Sequence, residues 1–125
     1  MAKDVILHCI GEIGFDGATY RALQFDGSGA SGLSMDDRMT IANMAIEAGG
    51  KNGIFEFDSK TQEMVDARCK LNGTKSDYQP VERDAEESFF YDTVINLDKL
   101  EPTVACHPDP GQRKTAREMD VQLDR

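Results

Sequence analysis

Ser34-Met35-Asp36-Asp37-Arg38-Met39-Thr40-Ile41-Ala42-Asn43-Met44-Ala45-Ile46-Glu47-Ala48-Gly49-Gly50 carries the clearest structural signature in the chain. Ser34 is placed to cap a helix, because its hydroxyl can accept from a backbone amide that the first turn leaves free. Asp37 follows three positions later, and Asp36 lies in the first turn, where a negative charge favours the helix dipole. Met35, Met39, Ala42 and Ile46 fall at helical spacing and predict the apolar stripe. Gly49-Gly50 ends the element.

Elements of both kinds flank this helix. Upstream, Val5, Ile6, Cys9, Ile10 and Ile13 predict a helix over Lys3 to Ile13, stopped at Gly14. A turn at Asp16-Gly17 leads to a strand over Tyr20 to Phe25, and Gly27 to Gly32 reads as a flexible loop. Downstream, an Asn52-Gly53 turn leads to a strand at Ile54 to Phe57. Asp58 or Ser59 then caps a helix from Lys60 to Leu71, ended by Asn72-Gly73. Thr74 to Glu87 is polar and irregular, with the acid run Asp84-Ala85-Glu86-Glu87 as a solvated turn. Phe89 to Leu97 is expected as a strand with Phe90, Thr93, Ile95 and Leu97 turned inward, and Thr103 to Cys106 as another. His107 to Arg117 reads as a connector, and a further strand could begin in 119–125. The expected class is therefore α/β: a three-layer α/β/α arrangement around a mostly parallel sheet, forming one domain or part of one. A connector that leads nowhere predicts an internal fragment, or a truncated product, of a longer protein.

Composition narrows the function. The 125 residues carry 23 acidic and 14 basic side chains, a formal charge of −9. Phosphate binding needs a basic patch, so a nucleic-acid partner is not expected, nor is a polybasic membrane-surface segment. No apolar run has the length of a membrane-spanning helix, and the amino terminus lacks a signal-peptide layout. Three cysteines are an odd number without close spacing, which fits a reducing cytoplasm. With 39% hydrophobic residues and no tryptophan, the expected core is modest.

Three patterns could carry chemistry. Gly27, Gly29 and Gly32 spell G-x-G-x-x-G after a strand and before a helix, with Glu56 further on, as in a dinucleotide-binding unit. Against this, Ser34 can satisfy the helix amides itself, and Asp36 and Asp37 would repel a pyrophosphate. Asn43 and Glu47 stand at i and i+4, beside Thr40 and Asp36. Periodicity alone reads this as a solvated helix face; the other reading is an amide and a carboxylate pointing into a shared cleft, where a carboxylate orients a histidine or a water. His8-Cys9 and Cys106-His107 are adjacent pairs without ligand spacing, so no metal site is expected within the chain.

The strings AKDVILHCIGEIGFDGATYRALQF, LSMDDRMTIANMAIEAGGKNGIF and LDKLEPTVACHPDP resemble the large subunit of the aconitase superfamily, nearest to its 3-isopropylmalate dehydratase and homoaconitase branch. The resemblance covers residues 2 to 110 and continues more weakly to Arg125; its most specific part is M-T-I-x-N-M-x-x-E, Met39 to Glu47. It implies a hydro-lyase that moves a hydroxyl between neighbouring carbons of a di- or tricarboxylic acid, in leucine biosynthesis for the isopropylmalate enzyme. A four-iron four-sulfur cluster acts on the hydroxyl as a Lewis acid, and a serine of the swivelling small subunit or domain is the base. By match, Asn43 and Glu47 are the catalytic residues, Glu47 pairing with a histidine elsewhere in the large subunit. The family's S-C-T-N and C-x-x-C cluster motifs do not occur here, so the cluster ligands are expected outside the chain. Residues 1–106 are then a partial aconitase-like domain, and 107–125 a connector towards the cluster-binding part. The glycine motif falls in a loop that varies in the family. A freestanding nucleotide-binding module, and a scaffold that has lost its catalytic parts, are the other readings.

Overall fold

The computed structural model describes residues 1–84 and 86–119. Residue 85 of the acid run, and all but the first residue of the strand expected in 119–125, lie outside the described residues. The first helix, α1 (Ala2–Ile13), is the expected one, lengthened by a residue, with Val5, Ile6 and Ile10 buried and Cys9 and Ile13 packed at the edge of the core. Its chain turns at Gly14, where φ is +82°. Strand β1 (Ala22–Phe25) follows.

The glycine segment is helical: α2 (Gly27–Gly32) is a short helix, not the flexible loop the composition predicts. Lys60 explains part of this. Its ammonium donates to the carbonyls of Ser31, Gly32 and Leu33 at 2.7, 3.1 and 3.0 Å, satisfying the last turn that six residues leave open.

Helix α3 (Met35–Asn43) starts as its sequence dictates. The Asp37 amide donates to Ser34 Oγ at 3.2 Å, and the Ser34 amide donates to Asp37 Oδ2 at 3.3 Å, a reciprocal capping box. Ser34→Ala is expected to lower stability by about 1 kcal/mol, measured as a shift in the denaturation midpoint. The helix is shorter than expected. After Asn43 the chain tightens into a 3₁₀ turn over Met44–Ala48 and stops at Gly49, a left-handed residue with φ +78°. The inward face also differs from the stripe of Met35, Met39, Ala42 and Ile46. Arg38, Ile41, Ala45 and Ala48 are buried, whereas Met39 is half exposed and Ile46 is 67% exposed. Periodicity missed this face because its first member is charged and two others are alanines.

Strand β2 (Asn52–Phe55) begins two residues earlier than expected, because the turn is made at Gly49-Gly50 and not at Asn52-Gly53. It lies parallel to β1, with Ala22 opposite Asn52 and Phe25 opposite Phe55. The Phe25 and Phe55 rings stack at 5.1 Å. Helix α4 (Ser59–Leu71) is capped by Asp58, which accepts from the Thr61 amide at 3.0 Å.

The strand expected over Phe89 to Leu97 does not form. Phe90 and Thr93 are exposed, Val94 is 94% exposed, and a 3₁₀ turn covers Leu97–Lys99. A strand needs a partner to satisfy its backbone, and among the described residues this segment joins neither strand pair. Thr103 to Cys106 does give β3 (Thr103–Ala105), paired antiparallel with β4 (Arg113–Thr115), which falls inside the segment read as a connector. This hairpin is latched to α1. The Thr103 amide donates to the buried Asp4 carboxylate at 2.7 Å, and Arg113 donates to Glu12 at 2.8 Å. The α/β character stands, in partial form: helices beside a two-stranded parallel sheet, and a separate two-stranded antiparallel pair.

Candidate functional site

Helix α3 runs back from the carboxyl end of β1 to the amino end of β2, so its last turn and the 3₁₀ turn sit where the strands begin. Asn43 is the last residue of α3, and Glu47 is the fourth of the 3₁₀ turn; both are exposed. The change of helix type alters how they face each other. Four residues of α-helix turn a side chain about 40° past a full revolution. Four of 3₁₀-helix turn it about 120° past, and bring residues three apart into line. Ile46, not Glu47, is therefore aligned with Asn43. Among the described residues, the Asn43 side chain caps nothing and Glu47 has no basic partner. Thr40, read with them as part of a polar stripe, donates to the Asp36 carbonyl at 2.8 Å and so serves its own helix.

The backbone around this segment is held from several directions. The Gly50 amide donates to the Ala45 carbonyl at 3.1 Å, the Gly49 amide to Ile46 at 2.9 Å, and the Ala18 amide to Ala48 at 2.9 Å. The Lys51 amide donates to Arg21 at 2.8 Å, fastening the start of β2 to the end of the loop before β1. In that loop Tyr20 has φ +62°, an uncommon conformation for a residue with a Cβ, and its exposed ring lies 5.4 Å from the Lys51 ammonium. The result is an amide and a carboxylate displayed on a firmly tied frame, with no internal partner for either among the described residues.

At the other end of the strands lies a group that the sequence reading passed over. Arg38, 3% exposed, reaches from α3 to the Asp58 carboxylate with both terminal nitrogens, and to the Ser31 carbonyl at 3.4 Å. The Arg38 guanidinium, with the Thr61 amide, holds the Asp58 carboxyl well below the usual carboxylate range. An arginine three positions before a buried isoleucine, with an aspartate at a helix start, was the available signal. Nearby, Arg83 meets Asp26, Glu56 and Glu87, and these side chains bring the irregular excursion down onto the sheet end. This arrangement also disfavours the nucleotide reading, since Asp26 and its acidic neighbours stand at the start of the glycine helix.

The cysteines are apart. Cys9 is half-buried on α1, and burial pushes its thiol up to about 11, away from the thiolate that metals require. Cys69 lies on α4 and Cys106 follows β3, with Met119 Sδ 3.8 Å from its sulfur. Among the described residues no three His, Cys, Asp or Glu side chains gather as a metal site. No described helix is long and apolar enough to cross a membrane. A hollow of about 950 Å³ lies between α1, β1, α2 and the 83–97 segment; neither Asn43 nor Glu47 borders it.

Residues 1–124 match the family described as the aconitase family (aconitate hydratase). The chain is similar to the 3-isopropylmalate dehydratase large subunit of Clostridioides difficile (strain 630), 49% identical over 123 residues, which are 97% of the chain and 28% of the relative. It is 51% identical over 123 residues to the large subunit of the same name from Caldicellulosiruptor saccharolyticus, covering 97% of the chain and 27% of the relative. A chloroplastic large subunit of that name from Arabidopsis thaliana is 45% identical over 125 residues, 99% of the chain and 24% of the relative. The chain thus spans about a quarter of the length of these relatives.

Proposed function

The chain belongs to the aconitase family, and we propose that it forms part of the large subunit of a 3-isopropylmalate dehydratase, to whose active site it contributes Asn43 and Glu47. Similarity along nearly the whole chain to large subunits of that name supports the reading, and one observation carries the site. The M-T-I-x-N-M-x-x-E segment ends on a well-tied turn that exposes the Asn43 amide and the Glu47 carboxylate, neither of which has a side-chain partner among the described residues.

The proposed reaction is a dehydration followed by rehydration at the neighbouring carbon. A base removes a proton from the carbon next to the one bearing the hydroxyl, the C–O bond breaks, and the leaving hydroxyl takes up a proton to depart as water. Rehydration returns the proton and the hydroxyl to exchanged carbons. Glu47 accepts a hydrogen bond from a histidine in another part of the subunit and holds it in position to protonate the departing oxygen. Asn43 offers its amide hydrogens to acceptor oxygens in the same cleft. The base, a serine, comes from the small subunit, the partner implied by relatives named as large subunits.

Family membership points to an iron-sulfur cluster in the complete enzyme. The cysteines present here do not fit one: the half-buried Cys9 thiol is held neutral, and among the described residues neither Cys69 nor Cys106 joins it in a ligand group. A four-iron four-sulfur cluster accordingly belongs to other parts of the subunit. We place 1–106 in the partial aconitase-like domain and let 107–125 lead towards that part. A cytoplasmic location and a place in leucine biosynthesis belong to the same proposal.

The substrate class is tested with the complete large subunit and its small subunit, by following formation of the unsaturated acid from 3-isopropylmalate, citrate and homocitrate. The expected result is the highest kcat/KM with 3-isopropylmalate. Preference for citrate or homocitrate would assign the chain to another branch of the family.

A further inference from the structure

We propose that Gly53, on β2, is a positioning residue for the Asn43–Glu47 segment, an inference that rests on the proposed role of those two residues. The observation is a close crossing of two backbones. A Cβ placed on Gly53 would lie 2.7 Å from Ala42 Cα, and 3.4 Å from both Ala42 Cβ and its carbonyl oxygen. The nearest atom is main chain, which cannot rotate away as the end of a long side chain would. Ala42 immediately precedes Asn43, at the point where α3 gives way to the 3₁₀ turn. Gly53 itself is fixed in the parallel ladder opposite Leu23. Any side chain at this position therefore pushes the last turn of α3 off the sheet, and Asn43 and Glu47 with it.

The turn has little freedom to absorb such a push. Its far end is held by the Ala18–Ala48 and Gly50–Ala45 backbone bonds. Gly49 adds a second close approach, since a Cβ there would lie 2.7 Å from Thr19 Oγ1. Displacement at Ala42 then passes into the orientation of the two side chains between these anchors. Gly53 touches no substrate in this account; it acts by letting α3 lie against β2.

The test uses the complete large subunit with its small subunit. Gly53→Ala is expected to lower kcat by about ten- to a hundredfold, the penalty for a displacement approaching 1 Å in a positioned group. KM should change far less, and the limb of the pH–kcat profile governed by the proton donor should move. A role confined to folding would scale kcat equally at every pH and leave that limb in place, which would overturn the proposal. Gly32→Ala is the control, because a Cβ there meets nothing within 4 Å; it should leave both readouts unchanged. Glu47→Gln, assayed beside them, separates the two claims. Wild-type kcat in Glu47→Gln removes the site and the inference together. A large loss in Glu47→Gln with an unchanged Gly53→Ala profile removes the inference alone. If Gly53→Ala does not fold, Ala42→Ser presses on the same crossing with one added atom and is judged by the same kcat and pH criteria. Failure of both variants to fold would overturn the positioning role, since the crossing would then serve the fold alone.

Discussion

Replacing Glu47 by glutamine in the complete protein is expected to lower kcat by about 10²- to 10⁴-fold, the range for losing a positioned acid–base group. Glutamine keeps the size and shape of the side chain and removes the charge that would orient and stabilise a protonated histidine. Stability should barely change, within about 0.5 kcal/mol, because Glu47 is exposed and has no basic partner among the described residues. The thermal midpoint and kcat, taken on one preparation, separate these effects. A near-normal kcat would dismiss the assigned role, and a large fall in the midpoint would show that Glu47 supports the fold.

The largest stability effect is expected at the opposite end of the sheet. Asp58→Ala should cost about 3 kcal/mol, the low end of the penalty for stranding a buried charge, because Arg38 is buried while the Asp58 side chain is 31% exposed. Arg38 would remain 3% exposed with its charge uncompensated, and α4 would lose the cap on the Thr61 amide. Replacing Arg38 by methionine in the same chain should recover much of the loss, because the buried charge is then gone. The pH dependence has a definite sign. The Arg38 guanidinium depresses the carboxyl of Asp58 in the folded chain relative to about 3.9 in the unfolded one. The folded state therefore binds this proton less readily. The contribution of Asp58 is complete above about pH 4 and is lost as pH falls through the folded value. Denaturant midpoints measured from neutral pH downward should fall less steeply in Asp58→Ala than in the natural chain, the remaining acid sensitivity coming from Asp4, Asp37 and Glu118, whose carboxyls are also held below their ordinary range.

The two ends of the sheet also show which parts of the structure were readable in sequence. Helices α1 and α4 were legible nearly to the residue, because Gly14 and Asn72-Gly73 punctuate their ends and Asp58 marks the start of α4. The Ser34–Asp37 cap was legible for the same reason: a capping box is local chemistry. The buried face of α3 was not. It carries Arg38 and two alanines, and the arginine is inside only because Asp58, twenty positions later, meets it there. Phe89 to Leu97 has the composition of a strand, yet strand formation depends on a neighbour that no local pattern records. The Gly27–Gly32 helix depended on another distant residue, Lys60.

The candidate site divides in the same way. Asn43 and Glu47 could be singled out by the M-T-I-x-N-M-x-x-E match, whereas spacing alone left them as an ordinary polar helix face. Their i and i+4 positions implied a shared α-helical face. The 3₁₀ turn after Asn43 removes that alignment, and it arises from the Gly49 stop and the backbone bonds to the Ala18 loop. The close crossing of Gly53 and Ala42 was not legible, because Asn52-Gly53 reads as a turn in sequence; its place in β2 makes it a strand glycine, which often marks a close backbone approach.

The most direct measurement is a crystal structure of the complete large subunit with its small subunit and a bound hydroxy acid, read for the position of Glu47. The account expects the Glu47 carboxylate in the substrate cleft, hydrogen-bonded to a histidine that reaches the substrate hydroxyl, with Asn43 lining the same cleft. Glu47 facing bulk solvent, with the hydroxy acid held by residues elsewhere, would contradict it.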